Sequence, residues 1–254
     1  MIAALPMYDH PGVRAERDVV WACIRDQLRA RGVDAPETLH RADDLWEQWR
    51  SPDLLLGQTC GLPFRLEFNR TQTLVGSIDY GLPDTPPGHY HSLFVVRRSD
   101  PRDRLEDFDG AVLAYNEAVS QSGWGNAITA PVRFTVGPMT GSHRDSTLAV
   151  ARGDAEIAAI DAISYRLIRA HTDFADTLKV VGRSPSTPGM ALITAFPDLV
   201  QTLRNAITEG IAAMPQNARE ALGVRGLTVI SAADYMSVPI PPSPEAYAAE
   251  MVPG

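Results

Sequence analysis

The apolar positions of this chain fall into short continuous runs separated by stretches with helical spacing. A run over residues 2–7 predicts a first buried strand, closed by the turn cluster Asp9-His10-Pro11-Gly12. A helix is then expected to about residue 31. Val20, Ile24 and Leu28 stand four apart in it with Trp21 beside them, and Gly32 lies just past its end. Residues 43–50 carry Leu45, Trp46 and Trp49 at helical spacing, which predicts a short helix whose tryptophans fill a core. The run Leu54-Leu55-Leu56-Gly57 suits a buried parallel strand, feeding a loop Gln58-Thr59-Cys60-Gly61. Further strands are expected at 74–78 and 91–97, around a loop at 80–88 rich in Pro and Gly.

A second alternating series follows: strand 111–115, loop 116–123, a short helix, strand 132–136, helix 143–152, strand 156–160, helix 162–170 and strand 178–182. Residues 184–189 read as an extended linker. A strand at 191–195 and a helix from Pro197 to about 214 come next. Five prolines in the last sixteen residues predict an extended tail, packed on the surface or loose. Strands alternating with helices mean an α/β chain with mostly parallel sheets. Residues 99–183 hold their own complete set of elements between two extended segments. That predicts one lobe (99–183) inserted into another (1–98 and 184–254) through two crossover strands.

With 254 residues, 44% hydrophobic and 21% charged, the composition is globular and can bury a core without disulfide or metal staples. Lys and Arg number 23 against 31 Asp and Glu, a net charge of −8. Such a balance disfavours sequence-independent nucleic-acid binding and anionic membrane surfaces. No run of about 18 apolar residues occurs, so no membrane-spanning helix is expected. Cys23 and Cys60 read as two free thiols. Residues 1–8 lack the basic start and long apolar stretch of a secretory leader. The expectation is therefore a cytoplasmic protein, or one whose leader is not part of this sequence.

The common signatures of dinucleotide, nucleotide, serine-hydrolase, zinc-protease and dithiol chemistry are missing. His89 and His91 lack an accompanying carboxylate or cysteine cluster, so neither metal nor cofactor is expected. What remains are small polar loops at strand ends. In Ser120-Gln121-Ser122-Gly123, hydroxyls and a glycine at a helix start suit an anion, while ordinary N-capping by serine suits the same residues. Thr140-Gly141-Ser142-His143 repeats the pattern and adds an imidazole. Asp161 ends another strand, where it is either a ligand residue or the cap of the next helix. Tyr8 and Gln58-Thr59-Cys60 stand at strand ends of the other lobe.

Leu5-Pro6-Met7-Tyr8, Leu54–Gly61 (LLLGQTCG), Ser120-Gln121-Ser122-Gly123, Gly141-Ser142-His143, Glu156–Asp161 (EIAAID) and Ser184–Gly189 (SPSTPG), in this order, resemble the phosphate/phosphonate-binding group of ABC-transporter substrate-binding proteins. The resemblance implies the two-lobed type 2 periplasmic-binding-protein fold, with a two-strand hinge and a small anionic ligand trapped between lobes. It implies that Ser120, Ser122 and the amides around Gly123 grip the anion with His143, and that Gln121 lies in the same loop. Tyr8 and Gln58-Thr59-Cys60 would close from the other lobe, with Asp161 near the organic part of the ligand. It further implies a periplasmic monomer, without catalytic activity, that serves an ABC permease. Two departures are visible: Asn116-Glu117-Ala118-Val119 stands where the family usually has an Asp-Pro pair, and Gln121 replaces a hydroxyl residue. The competing expectation is a cytosolic enzyme of the same fold acting on a small carboxylate or vitamin precursor, through Cys60 or His143.

Overall fold

The computed structural model describes residues 1–41 and 44–250; Asp43, the expected start of the second helix, and the last four residues of the tail lie outside them. The strands in chain order are β1 (Ile2–Ala4), β2 (Leu54–Thr59), β3 (Thr73–Asp79), β4 (His89–Tyr90), β5 (Ser92–Arg97) and β6 (Val112–Tyr115). They continue as β7 (Thr135–Met139), β8 (Ile157–Asp161), β9 (Leu178–Arg183), β10 (Thr187–Pro188), β11 (Ala191–Thr194) and β12 (Gly226–Thr228). The helices are α1 (Arg14–Arg29), α2 (Leu45–Arg50), α3 (Gly61–Pro63), α4 (Asn69–Thr71), α5 (Asn126–Ile128) and α6 (His143–Arg152). After them come α7 (Ala162–His171), α8 (Val200–Ala213), α9 (Gln216–Leu222), α10 (Ala232–Met236) and α11 (Pro244–Glu250).

The chain divides into two compact units, Met1–His89 with Thr187–Val238, and Tyr90–Ser186 with Pro239–Gly254. The first is a five-stranded sheet in the order β1-β2-β11-β3-β12. β1 and β2 are parallel, whereas β11 runs antiparallel to both β2 and β3. On α1 a stripe of Arg17, Val20, Trp21, Ile24 and Leu28 is buried, the spacing of one helix face. That helix meets α8 so closely that a Cβ on Gly210 would lie 2.9 Å from the Ile24 backbone. Trp49, Phe64, Phe68 and Tyr235 fill a core with Leu54, Ala191 and Ile193, so Trp49 packs as a core residue, with Trp46 against it.

The second unit is a sheet in the order β7-β6-β8-β5-β9. Its β6, β7 and β8 are parallel, and β5 runs antiparallel to β8 and β9. The period-two alternation of strands separates two cores. Phe94, Val96, Leu113, Tyr115, Ile157 and Ala159 face one way with Trp124. Val95, Ala114, Ala158 and Ile160 face the other.

Four expectations differ from these elements. The sheets are mixed rather than mostly parallel, because β11 and β5 each run antiparallel to both neighbours and β12 runs antiparallel to β3. Strand β5 pairs wholly within the second unit, so the chain changes unit at 89/90 and 186/187 rather than at 98/99 and 183/184. The tail belongs to the second unit and contains a helix, because Trp124 Nε1 donates to Pro242 O at 2.7 Å and the Phe134 N–H donates to the Tyr247 hydroxyl at 3.1 Å. Gln58 and Thr59 belong to β2 rather than to a loop, held by pairing with Leu192 and Ala191.

Candidate functional site

In the second unit β6 leads into Ser120, whose Oγ accepts the Gly123 N–H at 3.0 Å. The turn that follows, Gln121–Gly125, is one residue wider than an α-turn: the Gly125 N–H reaches back to Ser120 O at 2.9 Å. Asn116 lies against it so tightly that a Cβ on Gly123 would sit 1.8 Å from Asn116 Oδ1, which is why glycine stands there. A neighbouring loop is tied to this one through its backbone. Thr140 N–H donates to Tyr115 O and Gly141 N–H to Asn116 O, both at 2.9 Å. Ser142 then caps α6, and His143 becomes its first residue.

The two loops meet at one contact. Ser122 Oγ lies 2.8 Å from His143 Nε2 and 3.5 Å from Ser120 Oγ. Burial lowers the His143 pKa to about 4, so the ring is neutral near neutrality. Its Nδ1 is enclosed with no hydrogen-bond partner among the described residues. A bare lone pair there costs less than a stranded N–H. The favoured tautomer therefore places the proton on Nε2, donating to Ser122 Oγ and leaving the serine proton for an external acceptor.

Behind the turn runs a buried chain of hydrogen bonds. Ser92 Oγ donates to Ser122 O, Asn126 Nδ2 to Ser92 Oγ and Gln121 Nε2 to Asn126 Oδ1, each at 2.8 Å. Ser184 Oγ accepts the Ser92 N–H at 3.0 Å. Gln121 thus points into this support, and the Gly123 amide is occupied by Ser120. Asp161 is fully buried at the end of β8, and its Oδ1 accepts the N–H groups of Ile163 at 2.8 Å and Ser164 at 2.9 Å. It caps α7.

In the first unit the carboxyl ends of β1 and β2 enclose Arg17. Its Nη2 donates to Leu5 O, Met7 O and Gln58 Oε1, and its Nη1 to the Tyr80 hydroxyl. Tyr8 adopts φ 68, a left-handed conformation rare for a bulky residue, and its ring meets Tyr80 edge-on at 4.9 Å. The Gln58 side chain bridges Arg17 and Tyr80, and the main-chain carbonyl of Gln58 accepts from Trp49 Nε1 at 2.9 Å. Thr59 and Cys60 are buried beside it, and the guanidinium of Arg65 lies against Gly61.

The sequence profile of a family described as the phosphonate periplasmic substrate-binding proteins of ABC transporters matches residues 69–235. The chain belongs to that family. Its members are transporter substrate-binding proteins, not enzymes, with a small ligand and a permease as partners. Comparison with curated proteins finds no match. Among solved structures, the methylphosphonate complex of PhnD1 from Prochlorococcus marinus superposes with TM-score 0.68 at 13% identity, covering 98% of this chain and 97% of that one. A chloride-bound protein from Xanthomonas citri gives 0.66 at 18% identity, covering 98% and 96%. A binding-protein component of an ABC phosphonate transporter from Pseudomonas aeruginosa gives 0.62 at 18%, covering 87% and 79%. These likenesses show the fold, the two-lobed α/β architecture of periplasmic binding proteins. No helix among the described residues is long and apolar enough to cross a membrane.

In this family member the structure brings together Ser120, Ser122, Gly123 and His143 in one unit, and Tyr8 and Gln58 around Arg17 in the other. Sequence reasoning missed Arg17, Tyr80, Ser92, Asn116 and Asn126. Arg17 carried a readable signal: a charged residue three before Val20 and four before Trp21, on an otherwise apolar helix face.

Proposed function

We propose that this substrate-binding protein takes a phosphonate, phosphate or phosphate ester, and that the oxyanion sits against Ser120 and Ser122. The carrying observation is the 2.8 Å contact between Ser122 Oγ and a neutral His143. It orients a hydroxyl as donor, and a desolvated anion oxygen is what such a donor binds best. The ligand of the Prochlorococcus protein, methylphosphonate, has this chemistry. Tyr8 and the end of β2, which lie around Arg17 in the first unit, are proposed as that unit's ligand-facing residues. The protein is proposed to act as a periplasmic monomer that hands its ligand to the permease.

Thermal shift against phosphate, phosphite, alkyl- and aminoalkylphosphonates, sulfonates and carboxylates tests this. A ligand at about 100 times its Kd should add about 2.7 kcal/mol of stability. A flat response over the whole panel would sink the oxyanion reading.

A further inference from the structure

Arg17 is completely buried. Among the described residues, all its hydrogen bonds go to neutral acceptors, the carbonyls of Leu5 and Met7, the Gln58 amide oxygen and the Tyr80 hydroxyl. Among the described residues its Nε has no hydrogen-bond partner and none of the ion pairs includes it. A guanidinium stays charged in a protein, and an unpaired buried charge is costly unless something repays it. An arginine needed only to tie strand ends together would be cheaper with a carboxylate beside it.

Its position suggests what does repay it. Nη2 holds the two carbonyls that bracket the exit of β1, immediately before Tyr8 in its strained conformation. Non-glycine residues in left-handed backbone concentrate at functional sites. The carboxyl ends of parallel strands, here β1 and β2, are where open α/β sheets take their ligands. The chain as a whole carries −8, so an anion must find positive potential locally. The hydroxyl and imidazole groups of the second unit supply dipoles but no charge.

We propose that Arg17 is a specificity-determining charge: buried beneath the ends of β1 and β2, it makes the first unit favour ligands of higher negative charge without touching them. Resting on the oxyanion reading above, this adds selection by valence to selection by shape. Arg65, the other buried guanidinium of this unit, lies against Gly61 and serves as the comparator.

The experiment is calorimetric binding of methylphosphonate and methanesulfonate, nearly isosteric anions, at a pH where the first is a dianion and the second a monoanion. The wild type should prefer the phosphonate. Arg17→Met should lower the phosphonate-to-sulfonate ratio by about tenfold, the scale of one charge acting through a partly desolvated interior. Arg17→Lys should keep most of the ratio, and Arg65→Met should change it less. If Arg17→Met does not fold, the wild-type ratio at low and high salt decides, because a buried charge is poorly screened. A ratio unchanged in Arg17→Met, a larger loss in Arg65→Met, or a ratio that collapses with salt overturns the role of Arg17 while leaving the anion site standing. A wild type that binds neither probe nor any other oxyanion of the thermal-shift panel overturns the anion site and this inference together.

Discussion

The two units build their strand-end faces from opposite materials. The second offers serine hydroxyls, a neutral imidazole and a chain of amide and hydroxyl groups behind them, each aimed by a neighbour within hydrogen-bonding distance. The first offers a buried guanidinium, strand-end carbonyls turned toward it, and a tyrosine held in a strained backbone. Oriented dipoles discriminate by geometry, since each must point at a particular ligand oxygen. A fixed charge discriminates by valence and tolerates changes of shape. A binding protein that divides the two tasks between separately folded halves can tune one without disturbing the other.

Removing the dipoles is the most severe way to test this division. Ser122→Ala should weaken oxyanion binding by about 1–3 kcal/mol. Ser120→Ala with Ser122→Ala should leave no measurable binding by calorimetry, with the fold retained and stability lower by about 1 kcal/mol as the Gly123 N–H loses its cap. Retained binding in the double variant would move the ligand's main contacts to the first unit and reverse the comparison.

The second face was far more legible in the sequence than the first. Ser120, Ser122 and His143 lie in loops whose small polar residues interrupt strong strand and helix patterns, and hydroxyls at such positions have few roles to fill. Capping and ligand binding were the two readings for Ser120, and its Oγ does cap the turn through Gly123. The support behind them was not legible. Ser92 and Asn126 lie 34 residues apart and meet only because β5 pairs with β8 next to the turn. Arg17 was hidden in a different way. The helix pattern is read from its apolar members, so a charged residue on the same face goes unread. The tail was misread because prolines at 239, 241 and 242, with Pro244 as its first residue, obscure the short helix whose Tyr247 stands edge-on to Trp124 at 5.5 Å.

His143 offers the next largest effect. Its folded pKa of about 4 lies below the ordinary 6.5 because burial disfavours the charged ring. The unfolded chain therefore binds a proton first as pH falls, and stability drops from about pH 6.5 down to about pH 4. The loss should reach on the order of 2–3 kcal/mol, and be absent in His143→Gln. Denaturant titrations of both proteins over that range measure the difference. Parallel curves would mean the imidazole is not held neutral, and the second face would no longer be a face of dipoles.

Gly123→Ala sharpens the geometric side of the comparison. The new methyl would meet Asn116 Oδ1 at 1.8 Å, so either the asparagine or the turn must move. A loss of about 1–3 kcal/mol in stability is expected, with weaker ligand binding as Ser122 shifts. Adding Asn116→Ala should recover most of both, and a double-mutant cycle reads the coupling directly. No recovery would mean that glycine stands there for the approach of the ligand rather than for Asn116.

The smallest expected effect concerns Asp161, the one formally charged residue among those first assigned to the second face. If its carboxylate looked onto the ligand, a bound dianion would be repelled unless the ligand brought its own cation, and that face would not be built of dipoles alone. The geometry supports a different use: Oδ1 takes two N–H groups at the start of α7, the work of a helix cap. Asparagine caps nearly as well, because its amide oxygen accepts the same bonds. Asp161→Asn is therefore expected to change affinity for an alkylphosphonate by less than about 0.5 kcal/mol, and to leave an aminoalkylphosphonate no better or worse relative to it. Asp161→Ala should lose about 1 kcal/mol of stability with the cap. Tenfold tighter binding of the alkylphosphonate by Asp161→Asn would show the carboxylate facing the anion. So would loss of a wild-type advantage for the amine. Either outcome would place charge selection in both units and end the division between them.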